Sequence, residues 1–410
     1  MHIKILITSF LLFGYSFAYN QPLSDSLQIN FLGYAVSLPG KAFTQQGILP
    51  VNYREPALRQ LIEKLTDSSF AHVAERLLTI KTEKKLDDWL FYQLIRRTAQ
   101  QIIPKKKDYL GYTVCKGLLL QKTGYSPLLR LSDDKILLYV KSRDTVYNIP
   151  FLTFLGEQYV CLNYHDYGYR IDFEKESFRV VATATHSSSK NFSYKITHLP
   201  NFSPNCYTPR EIQFYYQGQL ESVSLSYNTE MQNYFNNYPV IDYRYQFSIP
   251  FSSQTYRSLI PFLQQKIAQR DTLDGVDYLM KFVRNAFVFG KDADQYGLEK
   301  RFSPEETLLA DKSDCEDRSA LFFALVKELY RLPMIVLSYP QHVTVAVKLR
   351  KTPKGNPLIY NGSFYSICEV TPQKKELALG DELEEIKNQP FEVVLEYTPQ
   401  VGSNKKPPQE

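Results

Sequence analysis

Three residue types that together make a thiol-based acyl-transfer site stand at even intervals near the end of this chain: Cys315, His342 27 residues later, and Glu369 27 residues beyond that. A thiol can attack a carbonyl, an imidazole can move its proton, and a carboxylate can fix the imidazole tautomer. The elements that must position them are legible between Phe302 and Pro372. Ser313 and Asp314 are N-cap residues, Glu316 and Asp317 put acids in a first turn, and Leu321, Phe322, Leu325, Val326 and Leu329 recur at helical spacing. Cys315 therefore falls at a helix N-terminus, where free N–H groups and the positive end of the dipole favour a thiolate. Arg331-Leu332-Pro333 ends the helix, Met334 to Leu337 suits a buried strand, and Tyr339-Pro340-Gln341 makes a turn. His342 to Val347 alternates with period two, so His342 shares a face with Thr344 and Ala346. After the turn pair Asn361-Gly362, Phe364 to Val370 reads as a strand with Tyr365, Ile367 and Glu369 on one face and Cys368 on the other.

The segments Ser313-Asp314-Cys315-Glu316-Asp317-Arg318-Ser319-Ala320-Leu321-Phe322, Tyr339-Pro340-Gln341-His342-Val343 and Cys368-Glu369-Val370-Thr371-Pro372 resemble the transglutaminase-like superfamily, whose papain-like core carries Cys, His and Asp in this order. The upstream Gln295-Tyr296-Gly297-Leu298-Glu299-Lys300 and Ser303-Pro304-Glu305-Glu306 are similar to its exported members in Bacteroidetes-type bacteria. Two positions depart from the family pattern. Ser313 stands where Gly is common, and Glu369 stands where Asp is common.

The resemblance implies an α+β fold and a role for each residue. Cys315 is the expected nucleophile, His342 the base that later protonates the leaving amine, and Glu369 the group that orients the ring. The oxyanion is expected at the Cys315 N–H with Gln295 as second donor. Such a site opens an amide to a thioester and passes the acyl group to water or an amine.

An earlier stretch, Asp88 to Asn163, reads as a worn copy of Asp277 to Glu369. A slide of 207 residues superposes Val114, Leu118 and Leu119 on Leu321, Leu325 and Val326, and a slide of 206 superposes Gly156 and Tyr159 on Gly362 and Tyr365. Asp108 then stands for Cys315, Lys135 for His342 and Asn163 for Glu369, a set that has neither thiol nor imidazole. The expected organisation is a signal peptide at 1–18, an N-terminal segment at 19–55, a degenerate unit at 56–168, a β-rich middle at 169–255, a catalytic unit at 256–396 and a disordered tail at 397–410.

Export is read from Lys4, the apolar run Ile5 to Phe13 and the small-x-small site Ser16-Phe17-Ala18, giving a mature chain from Tyr19 in a Gram-negative periplasm or the medium. No integral membrane segment is expected after signal removal. With 410 residues and 44% hydrophobic content the chain can bury two or three cores. Its net charge of +5 is scattered, so nucleic acid is not an expected partner. The 31 Tyr and 26 Phe favour β structure and surfaces that grip peptides or glycans. If Cys315 is free, Cys115, Cys161, Cys206 and Cys368 allow three full disulfide pairings, with buried thiols as the alternative.

In the middle, 169–173, 178–182, 212–216, 221–227 and 243–249 read as strands of a small sandwich or extended sheet, and 258–269 as an amphipathic helix. Asp292-Ala293-Asp294-Gln295-Tyr296-Gly297 begins like a calcium loop, but Ser303 stands where the bidentate Glu belongs, so neither metal nor cofactor is expected. The functional expectation is hydrolysis of a peptide or isopeptide, with the cell envelope as a source of substrate. The rival is a non-catalytic module that binds envelope peptide or glycan on the same scaffold.

Overall fold

The computed structural model describes residues 26–39, 55–65, 68–181, 189–351, 353, 357–374 and 376–399; the expected signal peptide and the expected tail beyond residue 399 lie outside them. The described chain is a mixed α and β structure built round two curled five-stranded sheets.

In the N-terminal half, helices Glu55–Leu65, Ser68–Glu83, Asp88–Ile102 and Tyr109–Lys122 precede the first sheet. Asp88–Ile102 buries Trp89, Leu90, Phe91, Leu94 and Ile95, a stripe wide enough to face neighbours on more than one side. Tyr109–Lys122 is apolar nearly all round and accordingly buried from Leu110 to Leu120. Its sheet runs Phe151–Phe154, Glu157–Cys161, Ile136–Lys141, Pro127–Leu131, Arg179–Val181 from edge to edge.

In the C-terminal half, Ser253–Ile267 and Thr272–Asn285 lead to the helix Cys315–Leu329. The sheet that follows runs Leu358–Tyr360, Ser363–Cys368, His342–Val347, Met334–Tyr339, Glu392–Tyr397. Counted along the chain after the buried helix, both sheets have the order third, fourth, second, first, fifth. Leu138 and Val140 turn to the helix side of their sheet, as Val345 and Val347 do 207 residues later.

Backbone conformation repeats with the side chains. The left-handed residue that ends the buried helix is Gly124 in one half and Arg331 in the other. The hairpin turns carry left-handed pairs at Leu155-Gly156 and at Asn361-Gly362. These spacings are again 207 and 206, so the single-residue change of register lies between the second and third strands.

The middle region forms neither the expected small sandwich nor an extended sheet of its own. Arg179–Val181 joins the first sheet, whereas the hairpin Tyr207–Tyr216 with Gln219–Asn228 lays Ile212, Phe214, Val223 and Leu225 on the C-terminal core. Residues 169–173 form turns rather than a strand, and 243–249 contains the helix Tyr243–Gln246. The alternating Tyr-Arg-Tyr-Gln-Phe pattern suits a strand, but Asp242 caps the Arg244 N–H and starts a helix instead. Glu305 fastens this region to the C-terminal half: completely buried, it accepts from the Asn228 and Ser252 amides and from the Ser252 and Thr255 hydroxyls. All five cysteines are free, and all but Cys315 are buried. Among the described residues no helix is long and apolar enough to cross a membrane.

Candidate active site

Three carboxyl-bearing residues surround the cysteine at the start of its helix. The Asp314 side chain accepts the Glu316 and Asp317 amides, and Asp317 reaches back to the Asp314 N–H, which makes Cys315 the first helical residue. Before it, Lys312–Ser313 pairs in parallel with Val288–Phe289. Behind it, the Ser319 hydroxyl donates to the Val343 carbonyl at 3.0 Å and so sets the helix against the histidine strand.

His342 opens its strand opposite Tyr339 and is 9% exposed. Its Nε2 lies 2.8 Å from Glu369 Oε2. The other Glu369 oxygen accepts the Thr371 amide at 2.7 Å, and the residue is fully buried. The carboxylate is thus held on both sides, and it engages Nε2 at the ring edge so that Nδ1 is the nitrogen left to serve a thiol. Cys315 and His342 line one cleft of about 1380 Å³, together with Asp314, Glu316, Gln341 and Thr371.

The thiol itself turns to a neighbour that sequence reading had given only a helix-start role: Cys315 Sγ donates to Glu316 Oε2 at 3.1 Å. Burial, then the charges of Glu316 and Asp314, push the thiol well above its ordinary pKa, while the Val343 amide pulls the other way. The expected advantage of the helix N-terminus is therefore outweighed by local acids, and this environment keeps the proton on sulfur. Burial also raises Asp292 to about 7 and moves Asp314 and Asp317 upward.

Two buried arginines support the site and were not singled out from sequence. Arg284 Nε donates to the Glu369 backbone carbonyl at 2.8 Å, its Nη2 contacts the same oxygen, and its Nη1 donates to Leu377 O at 2.7 Å. Arg318 donates to the carbonyls of Ser313, Val283, Arg284 and Phe287. An available signal was the placement of Arg284 on the same buried helix as Tyr278, Leu279, Phe282 and Val283, where a guanidinium must find partners. Gln295 belongs to the helix Asp292–Tyr296, and its side chain lies outside the described residues.

The corresponding positions of the N-terminal half do other work. Asp108 caps its helix by accepting the Gly111 amide, one step before the position Cys315 takes in its own helix. Lys135 pairs with Glu176 at 2.7 Å and with Asp134. Asn163 is fully buried, accepts the Leu138 amide and donates to Ile136 O and to the Tyr109 hydroxyl, which in turn donates to Asp166. Asn163 is thus locked by a ring of local partners.

Comparisons with protein-family models, with curated proteins and with solved structures return no match.

Proposed function

We propose that the C-terminal half is an exported, transglutaminase-like thiol acyltransferase of papain-like architecture that hydrolyses peptide or isopeptide amides, and that the N-terminal half is a degenerate copy of it. The observation that carries the reading is the buried His342–Glu369 pair at 2.8 Å on the cleft that Cys315 also lines. The repeated strand order, side-chain faces and left-handed turn residues support the second part.

In the proposed reaction the thiol rotates from Glu316 toward His342 Nδ1 and gives up its proton. Sulfur then attacks the amide carbon, and the tetrahedral oxyanion is met by the Cys315 N–H. The C–N bond breaks as imidazolium returns the proton to the leaving amine, which leaves a thioester. Water, deprotonated by His342, attacks the thioester, and the acid departs as sulfur regains a proton. Glu369 holds the ring tautomer and stabilises the imidazolium.

The rival reading, a non-catalytic module for envelope peptide or glycan, draws support from the Cys315–Glu316 bond and the raised thiol pKa. A peptidyl acyloxymethyl ketone, which needs an assisted thiol, separates the two, with iodoacetamide as a second reporter of the thiolate. The catalytic reading expects an adduct located to Cys315 that falls at least 100-fold in rate in His342→Ala, with iodoacetamide labelling of Cys315 slowed in the same variant. Equal adduct formation with and without His342, or none in the wild type, leaves the binding module.

A further inference from the structure

Beside the thiol, and independent of whether it is catalytic, three carboxylates converge from separate parts of the chain: Asp292, Glu299 and Asp314 each offer an oxygen, all within 4.8 Å of one another. Like charges this close repel, so the cluster requires protons or a cation. Lys300 and Arg301 act on Asp292 and Glu299 through space but are engaged with other partners. The Lys300 amine lies over the rings of Tyr296 and Phe302, and the Arg301 guanidinium is stacked 3.7 Å from the Tyr243 ring centroid and donates to Ile241 O. Among the described residues no Lys or Arg forms an ion pair with any of the three.

A second observation points to a ligand. Asp292 is 2% exposed; its Oδ2 accepts the Lys300 amide at 2.8 Å, but its Oδ1 is buried without a hydrogen-bond partner. Glu299 Oε1 is buried and unpartnered as well. Buried carboxylate oxygens rarely go unpaired, because the desolvation they suffer is then uncompensated. All three residues line the large cleft, so a solvated ion has a route in.

We propose that Asp292, Glu299 and Asp314 bind one divalent cation of the calcium class. Atoms no more than 4.8 Å apart admit a point within about 2.8 Å of all three, which shifts of a few tenths of an ångström bring to the ~2.3–2.6 Å of calcium–oxygen bonds. Magnesium, at ~2.0–2.1 Å and with rigid octahedral demands, needs a larger contraction. Water from the cleft completes the shell. The sequence pattern read as a failed calcium loop thus contributes Asp292, but its partners come from residue 299 and from the helix cap at 314 rather than from the loop's own twelfth position.

The test is calcium titration of the purified, chelator-stripped chain by calorimetry, carried out on Cys315→Ala so that no thiol chemistry enters. The expected result is one saturable calcium site that magnesium fills at least tenfold more weakly. Asp292→Asn and Glu299→Gln should each weaken it at least tenfold, whereas Glu384→Gln, at a well-exposed side chain, should leave it unchanged. Circular dichroism of each variant checks the fold, and if Asp292→Asn unfolds, Glu299→Gln decides. The absence of saturable calcium binding up to millimolar ion, magnesium binding as tight as calcium, or unchanged affinity in a folded Glu299→Gln overturns the assignment.

Discussion

The two halves bend the same strand order round the same kind of buried helix, yet they employ the polar residue at the end of the fourth strand differently. Glu369 spends one oxygen on an imidazole and one on the backbone, whereas its counterpart Asn163 spends both ends of its amide on local partners. The same sheet position thus accepts a different polar residue, provided its buried polar groups are satisfied in another way. A scaffold position is dictated by the sheet; its role is dictated by who else is nearby.

The sharpest way to probe that contrast is a reciprocal swap. On the proposed reading, Glu369→Asn should lower adduct formation with the acyloxymethyl ketone about 10³-fold while the circular dichroism spectrum stays native, because an amide cannot stabilise the imidazolium. Its mirror, Asn163→Glu, should cost about 3 kcal/mol in urea denaturation. It removes the donors to Ile136 O and Tyr109 and leaves a buried charge without an imidazole to meet it.

A third experiment uses Lys116, which is buried in the N-terminal helix with its amine 4.5 Å from the Tyr112 ring centroid and is pulled down to about 7 by burial. In the unfolded chain a lysine titrates at about 10.4. Between these values the unfolded chain binds more protons than the folded one, so stability should rise with pH from about 7 to about 10, by at most about 1.4 kcal/mol per unit. Lys116→Met should remove that slope, making the variant up to about 4 kcal/mol more stable than the parent at pH 6 and nearly equal to it at pH 10. A variant that loses stability at pH 6 would show that the amine contributes to the fold rather than burdening it.

The smallest effect concerns the residue that ends each buried helix. Gly124 has φ +94° and open space where a Cβ would go, so Gly124→Ala should cost about 1 kcal/mol through backbone conformation alone. Arg331 already bears such a cost at φ 51°. If Gly124→Ala proves neutral in thermal unfolding, the two helix ends are less alike than their angles suggest.

Much of this comparison was legible in sequence because it rests on local signals. Acids and a cap announced the Cys315 helix, alternation announced the His342 strand, and Asn361-Gly362 announced its hairpin. The slide of 207 was readable from apolar positions of the two buried helices, and that of 206 from a glycine and a tyrosine of the two hairpins. What escaped was set by tertiary partners. Tyr243–Gln246 alternates like a strand, and only its Asp242 cap and the packing of Tyr243 against Arg301 show why it is helical. Nothing in the order of residues says that Glu316 accepts the thiol's hydrogen bond, or that Arg284 will find the Glu369 carbonyl 85 residues away.

The two arginines have a further consequence. Arg318 ties the segment before the thiol to the helix carrying Arg284, and Arg284 ties that helix to the backbone of Glu369, so the parts of the site are joined through carbonyl oxygens rather than through opposite charges. Ion–dipole bonds inside a dry core lie beyond the reach of mobile counterions, which weaken chiefly exposed charge pairs. The backbone segments that carry Cys315 and Glu369 should therefore keep their relative positions from dilute buffer to brine.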